Sequence, residues 1–255
     1  MNVEKVYQKG IVTGVTSLAE NVVSLWVKSP EIAARAKSGQ FVSIYCKDKD
    51  HLLPRPISIC EIDREQGMLH FVFRVAGEGT REFARRNPGD VLDLLGPLGN
   101  GFTLEKKRAI VIGGGIGIPP MLELFRKLSC EKTAVLGYRD KNTFLLEKFE
   151  KEGKVYISTE DGSLGTRGNV IDCILENQLP AEILYACGPK PMLLGVKKYA
   201  QERGIRAQIS LEERMACGIG ACLACVFTTS KKDAHSNVNN KRICKDGPVF
   251  YLDEL

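Results

Sequence analysis

The sequence predicts a β-barrel plus α/β protein, in which an antiparallel barrel is followed by a parallel-sheet domain and a small cysteine-rich module. Three observations support this fold class. Short alternating apolar runs fill the first ~100 residues, apolar strands alternate with helical segments from Arg108 onward, and four cysteines crowd the segment after Ser210. The predicted domain boundaries are 1–103, 104–209 and 210–255.

The N-terminal segment has the side-chain period of two that is typical of β-strands. Glycine, proline and charged residues separate short apolar runs, a pattern that favours pairing between successive strands. We therefore predict an antiparallel barrel built from strand-like runs at residues 11–15, 22–28, 41–45 and 68–75.

The middle segment alternates strand-like and helical patterns, which is the order expected of a parallel sheet covered by helices. Ligands bind such sheets at the carboxyl ends of the strands, so functional residues are expected at that edge. The predicted strands are residues 109–112, 133–137 and 183–186, and the predicted helices are residues 121–128 and 190–203.

Composition excludes some classes of function. The chain has 255 residues, 44% hydrophobic content and a net charge of +5, and its one dense basic run is Lys106, Lys107 and Arg108. Such a run is typical of a solvated edge, so we expect no nucleic-acid partner. Residues 1–10 lack a signal-peptide pattern and no apolar run approaches ~20 residues, so we expect a cytoplasmic protein without membrane contact.

Four of the nine cysteines carry the strongest motif in the chain. Cys217, Cys222 and Cys225 are separated by four and two residues, and Cys244 follows after eighteen more, the spacing of a plant-type [2Fe-2S] site. Gly218 and Gly220 are expected to supply turns that a Cβ atom would obstruct. The alternative is structural zinc, although zinc more often pairs two short Cys-x-x-Cys knuckles.

The remaining cysteines and the histidines show no metal-ligand spacing. Burial as small hydrophobic residues is expected for four of these cysteines: Cys46, Cys60, Cys130 and Cys173. No role is predicted for the three histidines: His51, His70 and His235.

Two short motifs in the barrel segment have the residue types that a flavin dinucleotide requires. Cationic side chains can bind the phosphates, and a hydroxyl group can face the flavin N5. Backbone N–H groups at a glycine can approach the pyrophosphate closely. Thr80 is also predicted to be the N-cap of a helix through residues 82–86. An ordinary hairpin edge and a capped helix remain the alternative. The candidate residues are Arg55, Pro56, Ile57, Ser58, Val72, Phe73, Arg74, Gly79 and Thr80.

A glycine-rich turn joins the predicted strand 109–112 to a helix, a context that favours contact with a phosphate or a nicotinamide. Pro119 and Pro120 occupy the helix entry, so the motif departs from the G-x-G-x-x-G fingerprint of standard Rossmann dehydrogenases. A purely structural turn is the alternative. The candidate residues are Gly113, Gly114, Gly115 and Gly117, together with Cys187, Gly188 and Pro189 at the end of the last predicted strand.

In this order the motifs resemble the ferredoxin-reductase superfamily, and the resemblance covers the whole chain. Residues 213–222 and 244–250 are similar to the iron–sulfur subunit of NAD-linked (class 1B) dihydroorotate dehydrogenase. The resemblance implies that the barrel candidates contact FAD, that residues 113–117 and 187–189 flank NAD, and that Ile57 replaces an aromatic residue. Arg139 follows the second strand of the sheet, so the local residues leave NADP open.

A nicotinamide exchanges two electrons as hydride whereas a [2Fe-2S] cluster carries one, and a flavin can convert between them. The sequence shows no acid–base constellation for an organic substrate, so we predict no catalytic residues. The resemblance implies an FMN-containing catalytic subunit as partner, in a heterotetramer with two copies of each chain. Electrons would pass from dihydroorotate through FMN, cluster and FAD to NAD in pyrimidine biosynthesis.

Two other functions remain open from the sequence. The first is the small reductase subunit of a related NAD(P)H:ferredoxin or sulfur oxidoreductase, which would have the same architecture. The second is a zinc-stabilised interaction module without enzymatic activity.

Overall fold

The computed structural model describes residues 4–47, 52–230, 232 and 238–255. His51 and His235 therefore lie outside the described residues. The chain forms two compact units, one of Met1–Gly101 with Glu212–Pro248 and one of Phe102–Leu211 with Val249–Leu255. Among the described residues, none of the helices combines the length and the apolar composition needed to cross a bilayer.

Strands dominate the first unit, and strands and helices alternate in the second. In chain order the strands are β1 (Val6–Ala19), β2 (Val22–Lys28), β3 (Phe41–Ile44), β4 (Arg55–Asp63), β5 (Met68–Arg74), β6 (Val91–Leu98), β7 (Ala109–Gly114), β8 (Lys132–Tyr138), β9 (Lys154–Thr159), β10 (Thr166–Arg167), β11 (Ile183–Cys187), β12 (Arg206–Ser210), β13 (Val226–Thr228), β14 (Asn240–Arg242) and β15 (Val249–Tyr251). The α-helices are α1 (Pro30–Arg35), α2 (Glu78–Ala84), α3 (Pro119–Lys127), α4 (Leu146–Glu150), α5 (Val170–Glu176), α6 (Lys190–Arg203) and α7 (Ile243–Asp246).

The first unit contains a closed antiparallel barrel with the strand order β1-β2-β5-β4-β3-β6. Alternate residues of these strands fill its core, among them Leu25 and Val27 on β2 and Leu69 and Phe71 on β5. All four strand-like runs predicted from the sequence match barrel strands, with the runs 41–45 and 68–75 one residue too long, because period-two patterns bury one face of each strand. The predicted antiparallel barrel is confirmed.

One local prediction in this unit is wrong. Helix α2 begins at Glu78 with Gly77 as its N-cap, so Thr80 is inside the first turn rather than at the cap. The Thr80 hydroxyl oxygen instead accepts hydrogen bonds from the N–H groups of Ala76 and Gly77, at 3.0 and 3.1 Å. The side chain caps the helix from its third residue by reaching back, as the glutamate of a capping box does.

The cysteine-rich segment belongs to the same unit as the barrel. Strands β13 and β14 form a two-stranded hairpin, and the short helix α7 follows. Asn100, just after β6, holds this segment: its N–H donates to Gly247 O at 2.6 Å and its side-chain amide donates to Asp246 O at 3.0 Å. The cluster segment and the barrel are therefore joined by specific hydrogen bonds.

The second unit is built on a seven-stranded sheet with the order β10-β9-β8-β7-β11-β12-β15. Its strands pair in parallel except for β15, which runs antiparallel to β12. The predicted parallel-sheet domain is confirmed. The division into residues 1–103, 104–209 and 210–255 stays a prediction. In the structure residues 212–248 belong to the first unit and residues 249–255 to the second.

Candidate cofactor sites

The four spaced cysteines lie together in the first unit. The backbone N–H groups of Ala221 and Cys222 donate to Cys217 Sγ at 3.3 and 3.4 Å, and Cys244 N–H donates to Cys225 Sγ at 3.4 Å. Amide donors aimed at sulfur stabilise thiolates, the form of cysteine that ligates iron. The donor set therefore fits an iron–sulfur cluster.

The acidities of two of these thiols show how closely they interact. Burial raises the pKa of Cys217, but hydrogen bonds from the backbone N–H groups of Cys222, Ile219 and Ala221 outweigh it and lower the pKa to about 6. Burial, followed by interaction with Cys225 and Cys217, raises the pKa of Cys244 to about 12. Four thiolates at this spacing repel one another, and a metal centre relieves that repulsion.

The glycine turns predicted in this loop are confirmed. Gly218 and Gly220 have φ angles of +68° and +87°. A Cβ atom on Gly218 would lie 2.8 Å from Ser43 Oγ on the barrel, and one on Gly220 would lie 2.7 Å from Lys245 Cδ. The loop can therefore approach the barrel closely only without side chains at these positions.

An ion pair that the sequence analysis missed braces the fourth cysteine. Arg242 donates to Asp246 through Nε at 3.0 Å and through Nη2 at 3.2 Å, and its Nη1 donates to Gly220 O at 3.0 Å. The bidentate pair spans α7, which carries Cys244, and reaches the loop that carries the first three cysteines. The four-residue spacing of Arg242 and Asp246 was the available signal.

The surface of the cluster loop is apolar. Ile219 is 40% exposed and Leu223 is 60% exposed. Leu223 also has a φ of +60°, which is an outlier for a branched side chain. Strained backbone of this kind concentrates at functional sites.

The flavin candidates lie on neighbouring strands of the barrel and on α2. Arg55 begins β4, and a Cβ atom on Gly79 would lie 2.6 Å from its Nε. Ser58 and Arg74 are exposed, so both side chains are available to a ligand. Ile57 and Phe73 instead pack in the barrel core, which leaves only their backbone for contact. An arginine side chain beside a glycine backbone suits a pyrophosphate, because the anion needs both a positive charge and accessible backbone N–H groups.

The nicotinamide candidates come from two segments that the sheet brings together. Strand β7 ends at Gly114, and its Gly113 is in parallel register with Cys187 of β11. A Cβ atom on Gly117 would lie 2.4 Å from Cys187 O, and one on Gly114 would lie 2.3 Å from Met192 Sδ. Both segments therefore meet at the carboxyl edge of the sheet, where ligands of such folds bind.

The other cysteines divide into two groups. Cys60 and Cys173 are buried, as predicted, whereas the prediction is wrong for Cys46 and Cys130, which are only half-buried. Cys46 lies against the flavin candidates, since its Sγ would be 2.9 Å from a Cβ atom on Gly79. Tertiary packing, rather than local hydrophobicity, decides which thiols remain accessible.

Comparison with known proteins identifies the family. The model for the iron–sulfur cluster binding domain of dihydroorotate dehydrogenase B matches residues 212–255. The dihydroorotate dehydrogenase B (NAD(+)) electron transfer subunit of Bacillus caldolyticus is 41% identical over 247 residues, covering 93% of this chain and 94% of the relative. The chain belongs to this family. The subunit of Fusobacterium nucleatum is 40% identical over 251 residues, covering 93% of this chain and 94% of the relative.

Solved structures agree with this family. A chain of an NADH-dependent reduced ferredoxin-NADP oxidoreductase has a TM-score of 0.87 and 30% identity, covering 96% of this chain and 88% of that one. A flavohemoglobin from Malassezia yamatoensis has a TM-score of 0.65 and 23% identity, covering 78% of this chain and 57% of that one, and shows the fold alone.

Membership of this family of electron transfer subunits confirms the predicted fold class, the electron-transfer function and the predicted cofactor set. The matched iron–sulfur domain also favours a cluster over structural zinc in residues 212–255. The contacts predicted for individual residues stay predictions.

Proposed function

We propose that the chain carries electrons between the FMN of a dihydroorotate-oxidising subunit and NAD, by way of a [2Fe-2S] cluster and FAD, in pyrimidine biosynthesis. The single observation that carries this proposal is the convergence of four cysteine sulfurs on a loop hydrogen-bonded to the barrel, in a chain of this family. When bound, the cluster supplies one-electron transfer and the flavin converts it to two-electron exchange with nicotinamide.

Cys217, Cys222, Cys225 and Cys244 would hold the cluster. Backbone amides support this assignment, because N–H donors to cluster sulfurs are a known determinant of cluster potential. Structural zinc would use the same thiols, so the choice between the two metals is tested by composition rather than by geometry.

Arg55 would neutralise the FAD pyrophosphate, and Ser58 would face the isoalloxazine from the outer side of β4. Arg74 and the backbone at Val72 would line the neighbouring strand, with Gly79 and Thr80 at the pyrophosphate. Support comes from the exposure of Ser58 and from the close approach of Gly79 to Arg55.

Gly113, Gly114 and Gly117 would admit the nicotinamide nucleotide against the carboxyl edge of the parallel sheet, facing the segment 187–189. The close approach of Gly117 to the backbone of Cys187 supports this role, because it brings the glycine turn and the segment 187–189 together at the edge where ligands of such sheets bind. This chain's own residues would bind and orient the nucleotide and exclude water.

The partner would be an FMN-containing catalytic subunit, and the complex would contain two copies of each chain. The exposed apolar side chains of Ile219 and Leu223 lie on the cysteine loop itself, which suits a protein contact at the cluster. A docking face at the cluster keeps the distance to the partner's cofactor short. The cytoplasmic location stays a prediction.

The test is co-expression of this chain with a candidate catalytic subunit, followed by measurement of dihydroorotate-dependent NAD reduction. We expect activity only in the complex, and we expect Cys222→Ser to abolish it while leaving reduction of FAD by NADH largely intact. Equal loss of both activities would contradict the proposed electron order. Activity with a larger ferredoxin-linked flavoprotein instead of a dihydroorotate-oxidising subunit would favour the related oxidoreductase, whose fold is the same.

A further inference from the structure

A buried polar network on the barrel has no part in the proposed cofactor contacts. Its members are Ser24 on β2, Glu61 on β4 and His70 on β5, which are 7%, 4% and 1% exposed. The core is filled by the alternate residues of the same strands, such as Leu25 and Phe71, so the network lies on the opposite face of the barrel wall.

The imidazole of His70 is held from three sides. Its Nδ1 lies 2.7 Å from Glu61 Oε2, and its Nε2 lies 2.8 Å from Ser24 Oγ. The Trp26 ring stacks on it at a centroid distance of 4.3 Å and an interplanar angle of 1°. Both ring nitrogens are engaged, and the stacked Trp26 ring holds the imidazole in one orientation.

Strand register places this network beside the proposed flavin contacts. Ser24 pairs with Val72 across β2 and β5, and Trp26 pairs with His70. His70 and Val72 are two residues apart on one strand, so their side chains lie on the same face about 7 Å apart along it. The His70–Glu61 pair therefore lies two residues along β5 from Val72, the position proposed to contact the flavin.

A bulge on β4 is what brings the carboxylate to the histidine. The β4–β5 register shifts between Ile59 and Glu61, so that Glu61 pairs with His70. In a regular register Cys60 would pair with His70, and Glu61 would point into the core on the same face as Ile59, away from the ring. Bulges that re-aim one side chain in this way are common next to functional sites.

We propose that His70 is a positioning residue that couples reduction of the bound flavin to uptake of one proton by the Ser24–His70–Glu61 network. The inference rests on the proposed FAD site. Hydride transfer from NADH delivers two electrons and one proton to the flavin, releases NAD⁺, and leaves one added negative charge beside β5. A proton taken from solvent converts neutral imidazole next to the Glu61 carboxylate into imidazolium, and this cation offsets the added charge.

The groups that face His70 include Ser24 and Trp26 from β2 and Cys60 and Glu61 from β4. Glu61 supplies the charge in this set, and Cys60 supplies a second titratable group. The donor atoms of Cys60, Glu61 and His70 lie within 4.8 Å of one another, a grouping that could also hold a metal ion. The hydrogen bonds at both imidazole nitrogens favour the proton-binding role.

The test is a potentiometric titration of the flavin in the full chain, followed by flavin absorbance from about pH 5 to about pH 8. Wild type is compared with His70→Gln and Glu61→Gln, and Ile62→Val on the same strand serves as a control for packing. We expect wild type and Ile62→Val to take up more protons per FAD than either network variant, by up to about one. FAD content and thermal unfolding of each variant show that it is folded and loaded.

The same proton uptake in all four proteins would overturn the inference, as would stoichiometric zinc that wild type retains and the two network variants lose. A chain that holds FAD but is not reduced by NADH would overturn the proposed function, while the titration would still decide the role of His70. Failure of wild type to bind FAD would overturn both. If His70→Gln unfolds, Glu61→Gln alone decides the outcome, because it preserves the shape of the side chain.

Discussion

The backbone N–H of Cys244 donates to Cys225 Sγ at 3.4 Å, which joins two cysteines with eighteen residues between them. The hairpin of β13 and β14 accounts for this contact, because Val226 pairs with Arg242 and returns the chain to its starting point. Two of the four thiols thus depend on a tertiary pairing, whereas Cys217 and Cys222 share one local loop.

Replacing Cys225 or Cys244 by serine should remove the cluster. A hydroxyl is a poor ligand for iron in this donor set, so we expect iron and acid-labile sulfide to fall to background while FAD remains bound. Cys130→Ser is the matched control, because Cys130 lies in the other unit, and it should retain the wild-type iron content. Retention of iron by both ligand variants, or zinc in place of iron in wild type, would contradict the assignment.

Gly79→Ala should weaken FAD binding. The new methyl group would lie 2.6 Å from Arg55 Nε, so the guanidinium must leave the position proposed to meet the pyrophosphate. We expect the dissociation constant of FAD, measured by fluorescence titration of apoprotein, to rise about tenfold, or about 1.4 kcal/mol.

Gly77→Ala is the control for this prediction, because a Cβ atom there meets nothing within 4 Å. Alanine is a poorer N-cap than glycine, so this variant should lose some stability without losing FAD affinity. If the two variants weaken FAD binding equally, then the loss reflects the helix and not the position of Arg55.

Gly117→Ala should impair use of the nicotinamide nucleotide. Its methyl group would lie 2.4 Å from Cys187 O and 2.5 Å from Cys187 C, and backbone atoms cannot move aside as a flexible side chain can. We expect kcat/KM for reduction of bound FAD by NADH to fall by about tenfold or more, measured by stopped-flow absorbance, with FAD content unchanged.

Gly195→Ala controls for the substitution itself. Gly195 lies within α6, and the nearest atom to its Cβ position is Ile171 Cγ1 at an ordinary 3.7 Å. Alanine favours a helix over glycine by about 1 kcal/mol, so this variant should be as active as wild type and slightly more stable. If Gly117→Ala reduces FAD with wild-type NADH kinetics, then the glycine turn is not part of the nucleotide site.

Glu160→Gln should shift nucleotide preference toward NADPH. The N–H of Glu160 donates to Tyr138 O at 3.2 Å and the N–H of Asp161 donates to Arg139 O at 3.4 Å, so the backbones of Glu160 and Arg139 are neighbours at the carboxyl edge of the sheet, and both side chains are exposed. A carboxylate there repels a 2′-phosphate, whereas Arg139 alone would attract one. We expect the NADPH-to-NADH ratio of kcat/KM to rise about tenfold.

Arg139→Ala should move the same ratio in the opposite direction. Glu131→Gln is the control, because Glu131 is an exposed acid just before β8, at the opposite edge of the sheet. An equal shift in Glu131→Gln would attribute the effect to net charge, and no shift in Glu160→Gln would place the adenosine ribose elsewhere.

Local patterns were enough to predict the elements that carry the proposed site. The cysteine spacing, the glycines at positions 218 and 220, and the strand leading into Gly113 are each encoded within a few residues. The helix at Thr80 was placed wrongly because its hydroxyl accepts from the preceding backbone, and propensity does not distinguish a first-turn residue from a cap.

The sequence by itself determined the order of the modules, the cysteine spacing of the cluster loop and the glycine turn at the sheet edge, because periodicity and turn chemistry act between near neighbours. Only the tertiary structure decided the surroundings of His70, whose partners Ser24 and Glu61 are 46 and 9 residues away, and the place of β15 beside β12. Strand register is set by packing across the whole sheet, so contacts between strands cannot be read from any one segment.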